Sequence, residues 1–155
     1  MLKNKFLSFI IFIFITFTAS FIGSVATITS KEPWYSSLNK STLNPPDWVF
    51  APVWTSLYLF MTIAIWLAWH KNYKNLNLVY IYFIHLFFNL AWSIVFFVFH
   101  NIFVALINLV IIILFIIYLM LKFKKISNLS FILMIPYLLW CLYALVLNSS
   151  LYILN

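Results

Sequence analysis

PWYSSLNKSTLNPPDWVFAPVWTSLY, residues 33–58, interrupts a chain that is otherwise apolar enough for a bilayer. Pro33, Pro45 and Pro46 forbid a continuous helix here and stiffen the backbone. Trp34, Tyr35 and Trp48 lie among the polar residues of this loop, with Leu43 near its middle. Beyond it a helix opens on Trp48 and carries Trp54 and Tyr58, four residues apart, on one inward face. The chain therefore crosses a membrane, turns through residues 29–47, and crosses back. A stiff loop of that length tends to fold over something, so it reads as a plug or as the lid of a binding site.

Of the 155 residues, 66% are hydrophobic and only 7% are charged. Soluble domains carry roughly 25% charged residues, so the composition is that of an integral membrane protein. The apolar runs Phe6–Ile28, Trp48–Trp69, Leu78–Phe99, Ile102–Leu121 and Leu129–Leu147 predict five transmembrane helices. The first is longer than a signal-peptide core, and Ala19-Ser20-Phe21 makes a poor cleavage site, so it counts as a helix. The fold class is an all-α five-helix membrane bundle, one domain over 1–155, with consecutive helices expected as antiparallel neighbours.

Charge sets the expected orientation. Lys3, Lys5, Lys71, Lys74, Lys122, Lys124 and Lys125 fall on one side of the five spans, and Lys31 and Lys40 on the other. The bias places the N-terminus in the cytoplasm, and the 33–48 loop and C-terminus outside. The net charge of +7 is thus a topology signal and not a nucleic-acid footprint. Trp66, Trp69 and Tyr73 read as an aromatic belt at the cytoplasmic interface.

No Asp, Glu, Lys or Arg lies inside a predicted span, which argues against an ion-coupled pump or channel. Glu32 and Asp47 are the only acids, so paired-carboxylate and triad chemistry are excluded. The single cysteine, Cys141, excludes an internal disulfide. His85 has no second ligand at metal spacing, and no metal site is expected.

The polar residues within the spans are uncharged and recur at helical spacing. His85, Asn89 and Trp92 share a face of the third span; Tyr137, Trp140, Ala144 and Asn148 share one of the fifth. The fourth span adds Asn101, Ala105 and Asn108. Such groups turn inward. Asn89 and Asn148 each carry two readings, helix-to-helix hydrogen bonding, the commoner one, and ligand contact. Trp54 and Trp140 can pack a core, but a Trp pair beneath a Trp-bearing loop also suits a flat aromatic ligand.

The segment from Pro33 to Met61, the run FFNLAWSIVFF and the ending PYLLWCLYALVLNSSLYILN resemble the TspO/MBR family, which includes bacterial tryptophan-rich sensory proteins and the mitochondrial translocator protein. The resemblance implies a five-helix bundle, commonly a homodimer, with a cavity under the first loop for protoporphyrin IX or a related tetrapyrrole. No bound cofactor is required, and the other implied partner is membrane lipid. Trp54 and Trp140 match the tryptophans with which some bacterial members are reported to break down protoporphyrin in light. Asn89, Trp92 and Asn148 match polar pocket positions, and Ala144 the small residue beside them. The chain departs from the family at His85 (usually Gln), Asn108 (usually Asp), Thr62 (usually Gly) and Lys40-Ser41-Thr42-Leu43, where a Lys-Pro-x-Trp pattern is usual. Ser149 and Ile153 replace the Tyr and basic residue of a sterol-type pattern, itself weak as a signal.

Three functions follow. The first is a tetrapyrrole sensor or translocator, with Trp54, Tyr58, His85, Asn89, Trp92, Asn108, Tyr137, Trp140, Ala144 and Asn148 as ligand-binding residues. In that reading Trp34, Tyr35, Leu43, Pro45, Pro46 and Trp48 form the lid. The second is light-dependent porphyrin degradation through Trp54 and Trp140. The third is a lipid- or sterol-binding scaffold.

Overall fold

The computed structural model describes residues 4–72 and 76–155. Lys3, Tyr73 and Lys74, which enter the charge and belt readings, lie outside the described residues. The chain is helical: α1 (Lys5–Ser30), a single turn α2 (Trp34–Ser37), α3 (Phe50–Lys71), α4 (Leu76–Ser93), α5 (Ile102–Ile126) and α6 (Asn128–Leu154). A 3₁₀ turn, Asp47–Val49, leads into α3, and a π-helical turn, Ile94–Val98, prolongs α4. Among the described residues, five helices, counted with these turns, are long and apolar enough to cross a membrane.

Local chemistry sets the ends. The Asn4 side chain caps α1 by accepting from the Phe6 and Leu7 amides at 3.0 and 3.2 Å. Asn101 caps α5 through the Val104 amide at 3.0 Å, and Ser127 begins α6. Pro52 is tolerated because it stands in the first turn of α3. The last span runs past Leu147 to Leu154; Ser150 bonds back to the Val146 carbonyl at 2.9 Å within it. The fourth runs past Leu121, with Lys124 and Lys125 in the last turn, where cations suit the helix C-terminus.

The spans close into a ring: α1 packs on α3 and α4, α4 on α5, α5 on α6, and α6 on α3. The expectation that all consecutive spans are neighbours fails for α3 and α4, which meet only sparsely. Instead α1 holds both. Trp66 Nε1 donates to the Lys5 carbonyl (3.1 Å), Ser8 pairs with His70 (2.7 Å), and Thr16 pairs with Tyr82 (2.8 Å). Lipid is as apolar as any helix face, so such hydrogen bonds and close packing decide neighbours here.

The aromatic-belt reading is corrected at Trp69, which is only 3% exposed and packs in the core. Trp66 is half-buried and spends its N–H on α1. Helix α1 thus covers this end of α3 at Trp66, while Trp69 points into the core. The half of the bundle near the lysine-rich ends is shut by Met61, Ala64, Ile65 and Ala68 of α3 with Tyr82 and Phe123. The other half is open inside.

Candidate functional site

A cavity of about 390 Å³ occupies that open half, beside the α1–α3 connection. It is within the range of small-molecule sites, roughly 300–1,000 Å³. Helix α3 brings Phe50, Trp54 and Tyr58 to it, and α6 brings Trp140, Ala144 and Asn148, each set spaced by four residues. Helix α4 contributes Asn89 and Trp92, and its π-turn adds Phe96 and Phe97. A π-turn inserts one residue and often marks a functional segment. Here Trp92 stacks on Phe96 with centroids 5.0 Å apart, and Phe96 meets Phe97 edge-on at 4.8 Å.

The cavity floor is a hydrogen-bonded string. The Tyr58 hydroxyl donates to Asn89 Oδ1, and Asn89 Nδ2 donates to the Tyr137 hydroxyl at 2.8 Å. Tyr137 also meets His85 Nε2 at 2.8 Å. His85 Nδ1 has no partner among the described residues. With the ring proton on Nε2, His85 donates to Tyr137, whose own O–H turns to Cys141 Sγ; the other tautomer would bury Nδ1–H without an acceptor, so the network assigns the proton to Nε2. Higher up, the Asn148 amide satisfies both its groups when its oxygen accepts from Trp92 Nε1 (3.3 Å) and its nitrogen donates to the Ile102 carbonyl (3.2 Å). Trp92 and Asn148 are thereby fixed as one unit across α4, α5 and α6.

Of the residues singled out from sequence, Trp54, Tyr58, Asn89, Trp92, Trp140, Ala144, Asn148 and Tyr35 converge on this cavity. His85 and Tyr137 are fully buried beneath its floor. Asn108 lies outside its lining and donates to the Phe88 carbonyl at 3.1 Å, joining α5 to α4. From α5 the cavity receives only Leu109 and Ile112.

Among the loop residues, Trp34 packs away from the cavity, stacked on His100 at 4.3 Å and edge-on to Phe96. His100 has φ 52°, a left-handed conformation in the tight α4–α5 turn. Trp48 is 75% exposed, and Leu43, Pro45 and Pro46 also stay out of the lining. The Leu43 carbonyl accepts from Tyr143 Oη at 2.5 Å, and Asn39 exchanges hydrogen bonds with Asn155 (2.9 and 3.1 Å). These bonds tie the connection to α6. Tyr35 is buried against Phe96 and Phe97 and donates to Asn44 Oδ1 at 3.3 Å. Burial pushes its phenol above the ordinary range, with the Asn44 bond opposing.

Sequence reasoning missed the wall supplied by α1. Ser20, Gly23, Ser24 and Thr27 line the cavity at i, i+3, i+4 and i+7. That spacing of small residues was present in the chain, but the run is so apolar that it reads as a plain span. Gly23 faces α4: a Cβ there would sit 3.4 Å from Ser93 Oγ. Also missed were the charged rim, Lys31 with Asp47, and the thiol of Cys141.

A model of the TspO/MBR family matches residues 12–154. The chain is 34% identical over 136 residues to a tryptophan-rich protein TspO of Archaeoglobus fulgidus, covering 87% of this chain and 88% of that protein. To the tryptophan-rich sensory protein of Cereibacter sphaeroides it is 34% identical over 146 residues, covering 92% and 91%. To the translocator protein of Homo sapiens it is 30% identical over 132 residues, covering 83% and 78%.

Proposed function

The chain belongs to the TspO/MBR family of membrane proteins, and on that premise we propose that it senses or translocates a tetrapyrrole such as protoporphyrin IX. The observation that carries this reading is the cavity, in which Trp54, Trp92 and Trp140 surround a space whose inner polar groups are uncharged. A planar apolar macrocycle gains affinity there by area burial, at roughly 25 cal/mol per Å². The Asn89 and Asn148 amides set its orientation. Relatives named as sensory and translocator proteins support the same role. In this reading the tethered connection, residues 31–49, is the lid. Lys5, Lys71, Lys122, Lys124 and Lys125 mark the cytoplasmic end, and the protein works as a homodimer.

The test is titration of detergent-purified protein with protoporphyrin IX in the dark, following tryptophan fluorescence. Saturable quenching that weakens in Ala144→Phe protein is expected. Quenching without saturation refutes the reading.

One observation favours a second activity, light-dependent porphyrin degradation: Trp54 and Trp140 line the same space. Illumination of the complex then yields a new absorbing product in wild-type protein and not in the Trp54→Phe/Trp140→Phe variant. Equal bleaching in both rules out a role for the tryptophans.

A further inference from the structure

The charge of the cavity is confined to its rim. Among the described residues, Lys31, just past the end of α1, and Asp47, just before α3, are the charged side chains that line it, and they pair with each other. The two are not equally placed. The Lys31 side chain is 22% exposed, with its ammonium 5.2 Å from the Tyr35 ring centre, whereas Asp47 is 62% exposed. Lys31 is the inner partner and Asp47 the outer.

The cavity also opens at this rim. Ser24 and Ile28 of α1 and Ala51 and Thr55 of α3 line it and are exposed. The opening therefore lies between two helices long and apolar enough to cross a membrane. A molecule entering there places its apolar body among the indoles and leaves its polar head at Lys31.

We propose that Lys31 is the anion-binding residue of this cavity, taking a carboxylate carried on an otherwise apolar ligand, with Asp47 as the internal carboxylate that occupies it beforehand. The inference rests on the reading that the cavity holds an apolar ligand, and adds the head group. The exchange is favourable because an ion pair to a solvent-exposed carboxylate contributes little, and Asp47 regains water when it swings away. The incoming carboxylate is held close by the burial of its own body, which raises its effective concentration at Lys31. A cationic head is disfavoured, since the inner charge that the cavity presents to it is Lys31.

The experiment compares protoporphyrin IX, a dicarboxylic acid, with its dimethyl ester on the full chain in detergent, by tryptophan quenching in the dark. Lys31→Met is expected to weaken the diacid about tenfold, the size of a lost charge-assisted hydrogen bond, and to leave the ester unchanged. Asp47→Asn leaves Lys31 only its longer contact with Glu32 Oε1 (3.9 Å) and is expected to tighten the diacid about threefold. Equal losses for acid and ester, no loss for either, or an Asp47→Asn variant that weakens the diacid overturns the inference. Should wild-type protein bind neither porphyrin, the tetrapyrrole reading fails on its own. A dibrominated stearate against its methyl ester then takes their place: selective loss of the acid in Lys31→Met upholds Lys31 with a fatty acid as the source, and no selectivity overturns it.

Discussion

Replacing Tyr137 by Phe removes a fully buried hydroxyl that two other buried side chains depend on. His85 loses the partner of Nε2 and Asn89 the acceptor for Nδ2, so two donors are left unpaired between α4 and α6. Tyr58→Phe, by comparison, leaves only one acceptor, Asn89 Oδ1, without its donor. An orphaned buried group costs about 1–3 kcal/mol in soluble interiors, but helix-to-helix bonds in membranes average roughly 0.6 and reach about 1.7. Taking about 1 kcal/mol per orphan, Tyr137→Phe costs about 2 kcal/mol and Tyr58→Phe about 1. The assay is reversible unfolding by sodium dodecyl sulfate in mixed micelles, read by tryptophan fluorescence. His85→Gln, which keeps an N–H donor, is expected to lose less than His85→Phe. Equal losses for Tyr58→Phe and Tyr137→Phe, or the reverse order, would refute the string as the source of this stability. A double-mutant cycle between Tyr137→Phe and His85→Phe then locates the coupling, expected at about 0.5 kcal/mol or more.

Ala144→Phe places a ring in the cavity beside Trp140; displacing about 60–100 Å² of ligand contact lowers porphyrin affinity roughly ten- to seventyfold at ~25 cal/mol per Å², with the unfolding midpoint little changed. Gly23→Ala is tolerated, because its Cβ meets Ser93 at an ordinary 3.4 Å, and helix propensity adds up to about 1 kcal/mol. Gly23→Leu instead forces α1 from α4 and lowers stability in the same unfolding assay by about 1–3 kcal/mol. Asp47→Asn removes an exposed ion pair and changes stability by less than about 1 kcal/mol, so its effect on ligand affinity is read without a folding artefact.

How much was legible depends on the kind of signal. Residues that are polar or aromatic inside an apolar span stand out, and Trp54, Asn89, Trp92, Trp140 and Asn148 could be placed on inward faces by counting along a helix. Counting gives a face but not a depth. His85 shares its face with Asn89 yet lies one turn lower, under the floor, where it holds Tyr137. Asn108 faces inward as well, but bonds the Phe88 carbonyl outside the cavity lining. The α1 wall had the reverse problem: Ser20, Gly23 and Thr27 are small, and small residues announce themselves only once a neighbour closes on them.

From its order of residues alone the chain is committed to five spans and to a proline-stiffened break between the first two, because hydropathy and proline act locally. The positions of the tryptophans along each helix follow in the same way, from the 3.6-residue repeat. The ring order, with α1 holding both α3 and α4, was decided in three dimensions, since lipid and helix faces are equally apolar and only hydrogen bonds and close packing choose partners. So was the meeting of Lys31 with Asp47, sixteen residues apart, at the mouth of the cavity. No pattern in a sequence states that two loop charges will close on each other; the helices beneath them had to be packed first.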